Sequence, residues 1–353
     1  MSKNELNEEL KGGFEAAHVL ITESFFADYV EPMQKLLASM TPAGEVRFRP
    51  SRSASVEDYE WADAWVGFTP PAPPSETGIR WYHSGMDGVN QYAKYAQDFE
   101  DAGALLTHTV GTMPHRIAEF TVAAVLAEIV GLPRYRDSQR SHEYDRHVNP
   151  SALGSKVTVI GTGNIGSEIA NKLRPWVESV RGLSLSGRAR EAFDEVATLS
   201  EARETGRFLS DADVIVLILP DTPETQNVVD GEVLKWIGRS ASTKGEAGTA
   251  NPLADPRYPG AILVNVGRGS TLDSEALHAA LDSGALAHAV IDVFETEPLP
   301  AADWRWEHSR VTLTPHVSGF TWASDILTDF EQSWRELARG ERPSLAVDLT
   351  KGY

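Results

Sequence analysis

Residues 157–170 read VTVIGTGNIGSEIA, an apolar run that enters a glycine-rich turn and continues into an amphipathic helical pattern. The G-x-G-x-x-G spacing after a strand and before a helix is typical of a dinucleotide-binding turn. The first glycine permits a tight turn, the second lets a pyrophosphate approach the backbone, and the third lets the helix pack on the strand. The first turn of such a helix also offers free N–H groups to phosphate. The predicted cofactor contacts here are Gly161, Gly163, Asn164, Ile165 and Gly166.

Short β-branched runs alternate with helical patterns on both sides of this turn, which predicts an α/β fold with parallel strands. Six strands at regular spacing around the glycines predict a doubly wound sheet, and an earlier region shows the same alternation. The helical pattern Ile117–Gly131 is interpreted as the crossover between the two regions. The predicted strands are 18–22, 45–49, 64–68, 79–83 and 104–107, then 156–160, 180–185, 214–219, 261–266, 287–292 and 311–313, with helices at 29–39, from 89 and at 164–173.

Two segments interrupt this alternation of strands and helices. Residues 239–258 are rich in small residues, glycine and proline without an apolar period, which predicts a surface insertion. A mobile loop is favoured over a functional lid for this segment. Residues 340–353 contain Pro343 and a polar tail, and they predict a terminal extension that packs on the first region.

The composition excludes several classes of protein. At about 150 residues per domain, 353 residues predict roughly two domains, which need no metal or disulfide for stability. Thirty-two basic and 51 acidic residues give a net charge of −19, which argues against nucleic-acid binding. The absence of cysteine excludes disulfides, thiolate metal sites and cysteine nucleophiles, and no metal site is predicted. An acidic amino terminus, without an apolar run of about 20 residues anywhere, predicts a cytoplasmic protein with no membrane span.

The strand after the glycine turn bears on which dinucleotide binds. A site selective for NAD ends this strand with Asp or Glu, which binds the ribose 2′-hydroxyl. Residues 180–190 read VRGLSLSGRAR, so that Ser184 and Ser186 stand where the acid is expected, and Arg188 and Arg190 follow. Hydroxyl and guanidinium groups suit a 2′-phosphate, although the arginines are also consistent with solvated loop charges. We predict NADP(H), with NAD(H) as the alternative, and cofactor contacts at Ser184, Ser186 and Arg188.

Three later segments lie at predicted strand ends, where an open α/β sheet binds its ligands. They read VNVGRGS at 264–270, VIDVFETEPLP at 290–300 and LTPHVSG at 313–319, and LPDTPET stands earlier at 219–225. Each segment alone is also consistent with a structural strand end. In this order after the glycine turn, they resemble the D-isomer-specific 2-hydroxyacid dehydrogenase family over about residues 60–353.

The resemblance implies two Rossmann-like, doubly wound parallel-sheet domains with an active-site cleft between them. Residues 1–113 with 318–353 would form the substrate-binding domain, and residues 114–317 the dinucleotide-binding domain. Among the implied catalytic residues, Arg268 holds the substrate carboxylate and polarises the carbonyl, and His316 donates a proton with Glu297 as its partner. Asp292 is implied to contact the nicotinamide carboxamide. Further cofactor contacts are implied at Leu219, Pro220, Thr225, Val266, Gly267 and Gly319.

The chemistry of such a reaction requires these residue types. Reduction of a ketone by hydride transfer builds negative charge on oxygen, and a positioned acid must deliver a proton there. Histidine titrates near neutral pH, and a neighbouring carboxylate such as Glu297 would hold the imidazole of His316 in place. An arginine grips a planar carboxylate with two parallel hydrogen bonds, which is the role implied for Arg268.

Residues 81–89, WYHSGMDGV, resemble the loop whose backbone N–H groups cradle the substrate carboxylate in that family. Gly85, Met86 and Asp87 are therefore predicted as backbone contacts to substrate. An Asp87 side chain aimed inward would repel an anionic substrate, so we expect it to point to solvent or to cap the following helix. Trp304 is interpreted either as an active-site residue or as a packing residue.

The leading hypothesis is a reductase that uses NADPH to convert a small 2-oxo acid, such as glyoxylate or hydroxypyruvate, into the D-2-hydroxy acid. An alternative enzyme would use NAD to oxidise a D-2-hydroxy acid. A third hypothesis is a dinucleotide-sensing regulator, because transcriptional corepressors resemble the same family. The resemblance also implies a homodimer that is formed partly by the long helix at Ile117–Gly131.

Overall fold

The computed structural model describes residues 18–22, 30–39, 44–50, 53–70, 72–146, 151–237 and 260–349. The insertion predicted at 239–258 lies outside the described residues. Contacts divide the chain into two compact units, of which one comprises Met1–Met113 with Thr321–Tyr353 and the other Pro114–Phe320. No helix within the described ranges is both long enough and apolar enough to cross a membrane.

Five strands form a parallel sheet in the first unit, and each of the five predicted strands of this region coincides with one of them. The fourth strand begins at Trp81, two residues after its predicted start, and the helical pattern from residue 89 begins as a 3₁₀ helix at Asn90–Tyr95. The strands are β1 (His18–Ile21), β2 (Glu45–Phe48), β3 (Ala64–Gly67), β4 (Trp81–Ser84) and β5 (Leu105–His108). Their spatial order is β2-β1-β3-β4-β5. The helices of this part of the chain are α1 (Val30–Ser39), α2 (Val56–Trp61), α3 (Pro74–Thr77) and α4 (Ala96–Asp101).

Seven parallel strands form the sheet of the second unit. They are β6 (Lys156–Ile160), β7 (Ser179–Ser184), β8 (Glu195–Thr198), β9 (Val214–Leu217), β10 (Ala261–Asn265), β11 (Leu286–Ile291) and β12 (Val311–Leu313). Their spatial order is β12-β11-β10-β9-β6-β7-β8, so the order reverses between β6 and β9, where sheets of this kind bind ligands. The six predicted strands are confirmed to within two residues at each end. The edge strand β8 was not predicted, because only its Ala197 is buried and it lacks an apolar run.

The long helix at the boundary of the units begins earlier than the sequence predicts. It is followed, after Gly131 in a left-handed conformation, by a second helix that has no buried residue and that was not predicted. The helices of this part of the chain are α5 (Met113–Ile129), α6 (Leu132–Arg140), α7 (Asn164–Leu173), α8 (Leu199–Thr205), α9 (Gly231–Leu234) and α10 (Ser274–Asp282).

The chain returns to the first unit through α11 (Ala323–Ala338). Apolar residues recur every three or four positions along this helix, so that one face is buried. The ring of Phe330 stacks on Trp81 of β4 at a centroid distance of 4.5 Å. The buried apolar residues of α11 are Ile326, Phe330, Trp334 and Leu337.

The tail after α11 packs on the edge of the first sheet. The carbonyl oxygen of Leu345 accepts a hydrogen bond from the amide of His108, and the amide of Val347 donates to the carbonyl of Leu106. These bonds lie along β5, and they confirm the predicted terminal extension as far as the described residues reach.

A buried acid joins α5 to the edge of the second sheet. Glu128 Oε1 lies 3.4 Å from Nε2 of His288 on β11 and 3.5 Å from the hydroxyl of Thr312 on β12. Burial raises the pKa of Glu128 to about 7 and lowers the pKa of His288 to about 4. Both side chains are therefore mainly neutral in the folded protein near pH 6.

Glu128→Gln should stabilise the protein at alkaline pH. The pKa of Glu128 is higher in the folded protein than in the unfolded chain. The free energy of unfolding therefore falls as pH rises from about 4.5 to about 7, and it stays at the lower value above pH 7. Glutamine removes this titration, so unfolding free energy at pH 8 should rise by about 1–3 kcal/mol, with little change at pH 5. Calorimetric Tm values of wild type and variant at both pH values test this. Equal Tm differences at pH 5 and pH 8 would contradict it.

Candidate active site

The glycine turn between β6 and α7 has the shape expected of a phosphate-binding turn. Gly161 has a φ of +117°, and a Cβ atom there would overlap the carbonyl oxygen of Ile218. A Cβ at Gly166 would overlap the carbonyl oxygen of Gly161, so a side chain here would push the helix off the turn. A Cβ at Gly163 would meet no atom within 4 Å. The backbone is thus open at Gly163, and the residues fit a pyrophosphate there.

The turn after β7 carries the residues predicted to select the dinucleotide. The hydroxyl of Ser184 accepts a hydrogen bond from the amide of Gly187 at 3.1 Å, and that of Ser186 accepts from the amide of Arg188 at 3.3 Å. The side chains of Arg188 and Arg190 are exposed, and neither guanidinium is bonded to any other described residue. The strand end therefore presents hydroxyls and two unneutralised cations.

The segments after β9 and β10 meet at the same end of the sheet. A Cβ at Gly267 would lie 2.8 Å from the amide nitrogen of Leu219, so only glycine lets the two segments approach this closely. Val266 is buried just before this contact, and Pro220 is exposed just after it. The hydroxyl of Thr225 is buried and donates to the carbonyl of Pro220 at 2.6 Å. Thr225 therefore shapes this turn, and its contact with a cofactor stays a prediction.

Arg268 follows β10 and is half-buried. Its carbonyl oxygen accepts hydrogen bonds from Thr271 Oγ1 at 2.7 Å and Asn265 Nδ2 at 3.3 Å, which fix the backbone. Its guanidinium donates to the carbonyl of Gly267 at 2.8 Å, and no carboxylate of the described residues pairs with it. The cation is thus held in place and remains available to an anionic ligand.

A close backbone contact brings the Arg268 segment against the segment after β11. A Cβ at Gly269 would overlap the backbone of Phe294 and Glu295, so glycine is required where the two segments touch. The amide of Phe294 in turn donates to Glu297 Oε1 at 3.0 Å. Arg268 and Glu297 therefore lie on contacting segments at one end of the sheet.

Glu297 and His316 form the hydrogen-bonded pair that the chemistry requires. His316 Nδ1 lies 2.8 Å from Glu297 Oε2, while Oε1 accepts from the Phe294 amide. Because the carboxylate accepts, Nδ1 carries a proton, and Nε2 makes no hydrogen bond to the part of the chain that the structure describes. The imidazole is 45% exposed and the carboxylate 37%, so a ligand can reach both.

Asp292, at the end of β11, holds the segment that carries His316. Its fully buried carboxylate accepts from the hydroxyl of Thr314 at 2.6 Å and from the amides of Val317 and Ser318 at 3.0 Å. Its carbonyl accepts from the amide of His316 at 2.8 Å. His316 has a φ of +53°, which is unfavourable for a side-chain-bearing residue and needs such support. The sequence did not predict this positioning role, and the contact of Asp292 with nicotinamide stays a prediction.

The predicted substrate loop follows β4 in the first unit. The amide of Gly85 donates to the carbonyl of Gly67 at 2.9 Å, so it does not offer a free N–H group. The amide of Met86 makes only a long contact of 3.4 Å to the hydroxyl of Ser84. Of the two, Met86 retains more capacity to bind a carboxylate through its backbone.

Asp87 has a partner that the sequence analysis missed. Its carboxylate lies 3.4 Å from Nδ1 of His108, and the same nitrogen lies 2.9 Å from the Asp87 carbonyl oxygen. The carboxylate is also 32% exposed, which is compatible with the expectation that Asp87 points to solvent, but the neighbouring His108 was not expected. A protonated His108 would offset the charge that repels an anionic substrate. Strand register brings β5 beside β4, and no local sequence pattern reveals such a pair.

Trp304 has the packing role that was one of its two interpretations. Its ring stacks on His278 of α10 at a centroid distance of 4.1 Å and an interplanar angle of 9°. Its Nε1 donates to the hydroxyl of Ser274 at 3.3 Å. Gly319 is half-buried after the histidine segment, and its contact with a cofactor stays a prediction.

Comparison with protein families identifies the class of protein. The family model described as D-isomer specific 2-hydroxyacid dehydrogenase, NAD binding domain, matches residues 122–243 and 255–318, more than half of the chain. The chain belongs to this family. The unmatched stretch 244–254 falls inside the predicted insertion. Membership confirms the resemblance seen in the sequence, and it makes the chain an NAD(P)-binding oxidoreductase that acts on CH–OH groups.

Individual relatives agree with the family assignment. An uncharacterized protein in the mprR 3′ region of Streptomyces coelicolor is 34% identical over 284 residues, which cover 78% of this chain and 90% of that protein. A D-isomer specific 2-hydroxyacid dehydrogenase family protein from Aeromonas salmonicida subsp. salmonicida A449 is 27% identical, with a TM-score of 0.77 over 95% of this chain and all of that one. A D-isomer specific 2-hydroxyacid dehydrogenase from Xanthobacter autotrophicus Py2, solved with NADPH and MES, is 25% identical, with a TM-score of 0.77 over 96% of this chain and all of that one.

Proposed function

We propose that this family member uses NADPH to reduce a small 2-oxo acid of the glyoxylate or hydroxypyruvate type to the D-2-hydroxy acid. The observation that carries the proposal is the 2.8 Å hydrogen bond between Glu297 and His316, on segments next to that of Arg268. Besides its cofactor, this reduction needs a proton donor held by a carboxylate and a cation that can bind the substrate; Arg268 pairs with no carboxylate in the described part of the chain.

The dinucleotide supplies the hydride when it is bound. Two features favour binding of its pyrophosphate. The backbone is open at Gly163, and no side chain caps the N–H groups in the first turn of α7. Preference for the phosphorylated form rests on Ser184 in place of an acid and on the exposed Arg188 and Arg190. The presence of NADPH in the related Xanthobacter structure supports the same preference.

Arg268 binds the substrate carboxylate in this proposal. Among the described residues its guanidinium bonds to the backbone carbonyl of Gly267 and to no carboxylate, so binding an anion requires none of the ion pairs described there to break. A bidentate contact would orient the 2-oxo acid and place positive charge near the carbonyl oxygen, where negative charge develops. This orientation would make a carboxylate next to the carbonyl a requirement of the substrate.

His316 delivers the proton from Nε2 to the developing alkoxide. Its Nδ1–H group donates a hydrogen bond to Glu297, which sets the orientation of the ring. The carboxylate also stabilises the positive charge of the imidazolium before the proton is transferred. In the reverse direction, neutral Nε2 removes the hydroxyl proton of the D-2-hydroxy acid. Asp292 keeps the backbone of this segment in place.

The proposal is tested by following absorbance at 340 nm with NADPH or NADH and a panel of 2-oxo acids. We expect the fastest oxidation with NADPH and a short 2-oxo acid, and chiral analysis should show the D-product. Faster turnover of D-2-hydroxy acids with NAD would instead support the oxidative alternative. Cofactor binding by fluorescence without turnover of any oxo acid would support a dinucleotide-sensing regulator and overturn the proposal.

Removal of the two exposed arginines should change cofactor preference. Arg188→Ala combined with Arg190→Ala removes the cations available to a 2′-phosphate, so KM for NADPH should rise at least about tenfold, while KM for NADH changes little. Ser184→Asp should shift preference further toward NADH, because an acid binds the ribose hydroxyls and repels the phosphate. Steady-state kinetics with both cofactors measures the effect. Equal changes with NADPH and NADH would contradict the assignment.

A further inference from the structure

Two histidines and an aspartate converge in the second unit outside the site described above. They are His278 and Asp282 of α10 and His308, which precedes β12, and one ligand atom from each lies within 4.8 Å of the others. No metal site was predicted from the sequence, in which His308 is far from α10 and no spacing motif links the three residues. We propose that these three side chains bind one Zn²⁺ ion.

The distances suit a tetrahedral ion. His278 Nε2 lies 3.7 Å from Asp282 Oδ2, and His308 Nε2 lies 3.7 Å from Asp282 Oδ1. Zinc bonds of about 2.0–2.1 Å separate tetrahedral ligand atoms by about 3.4 Å. The two imidazoles face different oxygens of Asp282, and the three ligand atoms lie within 4.8 Å of one another, so rotation of side chains, chiefly of the exposed Asp282, is needed to bring them to bonding distance. His278 and Asp282 are four positions apart on one helix, a spacing that places both on the same face.

Packing orients both imidazoles before any ion binds. The ring of His278 stacks on Trp304, and His308 meets the same indole edge-on at 5.6 Å. The side chain of His308 is only 13% exposed, whereas that of Asp282 is 65% exposed. His308 is thus held by the protein interior and His278, which is 38% exposed, by its stack on Trp304, while the carboxylate faces solvent, which leaves room for water as a fourth ligand.

Electrostatics and ligand type favour a transition metal over other cations. Asp282 ends α10, and the carboxyl end of a helix favours positive charge. The net charge of −19 also attracts cations to this protein. Imidazole nitrogens select zinc and its first-row neighbours, whereas magnesium and calcium prefer oxygen ligands only.

One hydrogen bond opposes binding and limits its strength. His308 Nδ1 accepts from the amide of Arg310 at 3.2 Å, which places the imidazole proton on Nε2. Coordination through Nε2 moves this proton to Nδ1, so the bond to Arg310 is lost. With only three protein ligands as well, the site should bind zinc more weakly than a closed four-ligand structural site.

The position of the site indicates a structural role. His308 precedes β12 and His316 follows it, so the two histidines lie at opposite ends of this strand. An ion here would join the end of α10 to the entry of β12. Because it would bind the folded protein and not the unfolded chain, zinc should raise thermal stability.

The test is zinc binding to protein purified without a histidine tag and treated with EDTA. Isothermal titration should give one zinc per chain with a Kd of about 10 µM or tighter, and zinc should raise Tm. His278→Phe keeps the stacking on Trp304 but removes the ligand, and Asp282→Asn changes only an exposed side chain. Each should weaken zinc binding at least tenfold, without lowering Tm in EDTA.

Two controls distinguish this site from general cation binding by an acidic protein. His115 also sits beside a carboxylate, with Nδ1 2.6 Å from Glu168, but has no third ligand among the described residues, so His115→Ala should bind zinc as wild type does. Magnesium at equal concentration should leave Tm unchanged. The proposal is overturned if zinc does not bind stoichiometrically, if His278→Phe and Asp282→Asn bind it as wild type does, or if magnesium gives the same stabilisation.

Discussion

His316→Ala should remove most of the turnover of 2-oxo acid while leaving cofactor binding intact. A positioned general acid contributes about 10²–10⁴-fold to such a step, so kcat should fall by that factor. KM should change less, because in the proposed mechanism Arg268 still binds the substrate carboxylate. Steady-state oxidation of NADPH at 340 nm gives kcat and KM, and fluorescence titration gives the NADPH affinity. A variant with near wild-type kcat would show that His316 is not the proton donor.

Two further variants separate proton transfer from general disturbance of the protein. His115→Ala removes a histidine with the same Nδ1-to-carboxylate pairing, on Glu168, and should leave kcat unchanged. Glu297→Gln keeps an oxygen acceptor for His316 Nδ1 but removes the negative charge, so kcat should fall less than in His316→Ala. If Glu297→Gln loses as much kcat as His316→Ala, the charge of the pair matters more than the orientation of the ring.

The location of the candidate site could be predicted from sequence because it depends on strand ends. VTVI and AILVN are buried runs, and LAHAVI is buried except at Ala287 and His288. Parallel strands deliver whatever follows them to one edge of the sheet. The residues after these runs are therefore neighbours in space although they are distant in the chain. Gly269 shows the limit of that reasoning. A glycine is required there because the backbone of Phe294 passes too close for a Cβ atom, and only the structure shows that contact.

What sequence did not predict depends on pairs across elements or on weak local signals. Asp87 and His108 meet because β4 and β5 pair in one register, and a shift of register would separate them. Asp292 was interpreted through the cofactor, whereas its carboxylate binds the backbone that carries His316. The edge strand β8 has too few buried residues to produce an apolar run. Such features follow from packing, which local periodicity does not encode.

Arg268→Ala should damage substrate binding and turnover together. Loss of a bidentate, charge-assisted contact to a carboxylate costs about 3–5 kcal/mol, so kcat/KM should fall by about 10²–10⁴-fold. Unlike His316→Ala, this variant should raise KM strongly as well as lower kcat, because in the proposed mechanism the same cation binds the substrate and polarises its carbonyl. NADPH affinity should be little changed. A normal KM for the 2-oxo acid would contradict the role of Arg268.

Arg268→Lys tests whether charge alone is sufficient. Lysine keeps the positive charge but cannot form the two parallel hydrogen bonds of a guanidinium, so kcat/KM should stay well below the wild-type value. Arg174→Ala is the matched control, since this exposed arginine of the same unit pairs with Asp194 at 2.6 Å and should leave kcat and KM unchanged. Full activity of Arg268→Lys would mean that a point charge at the end of β10 orients the substrate adequately. In that case the planar geometry of Arg268 could not be what selects a 2-oxo acid.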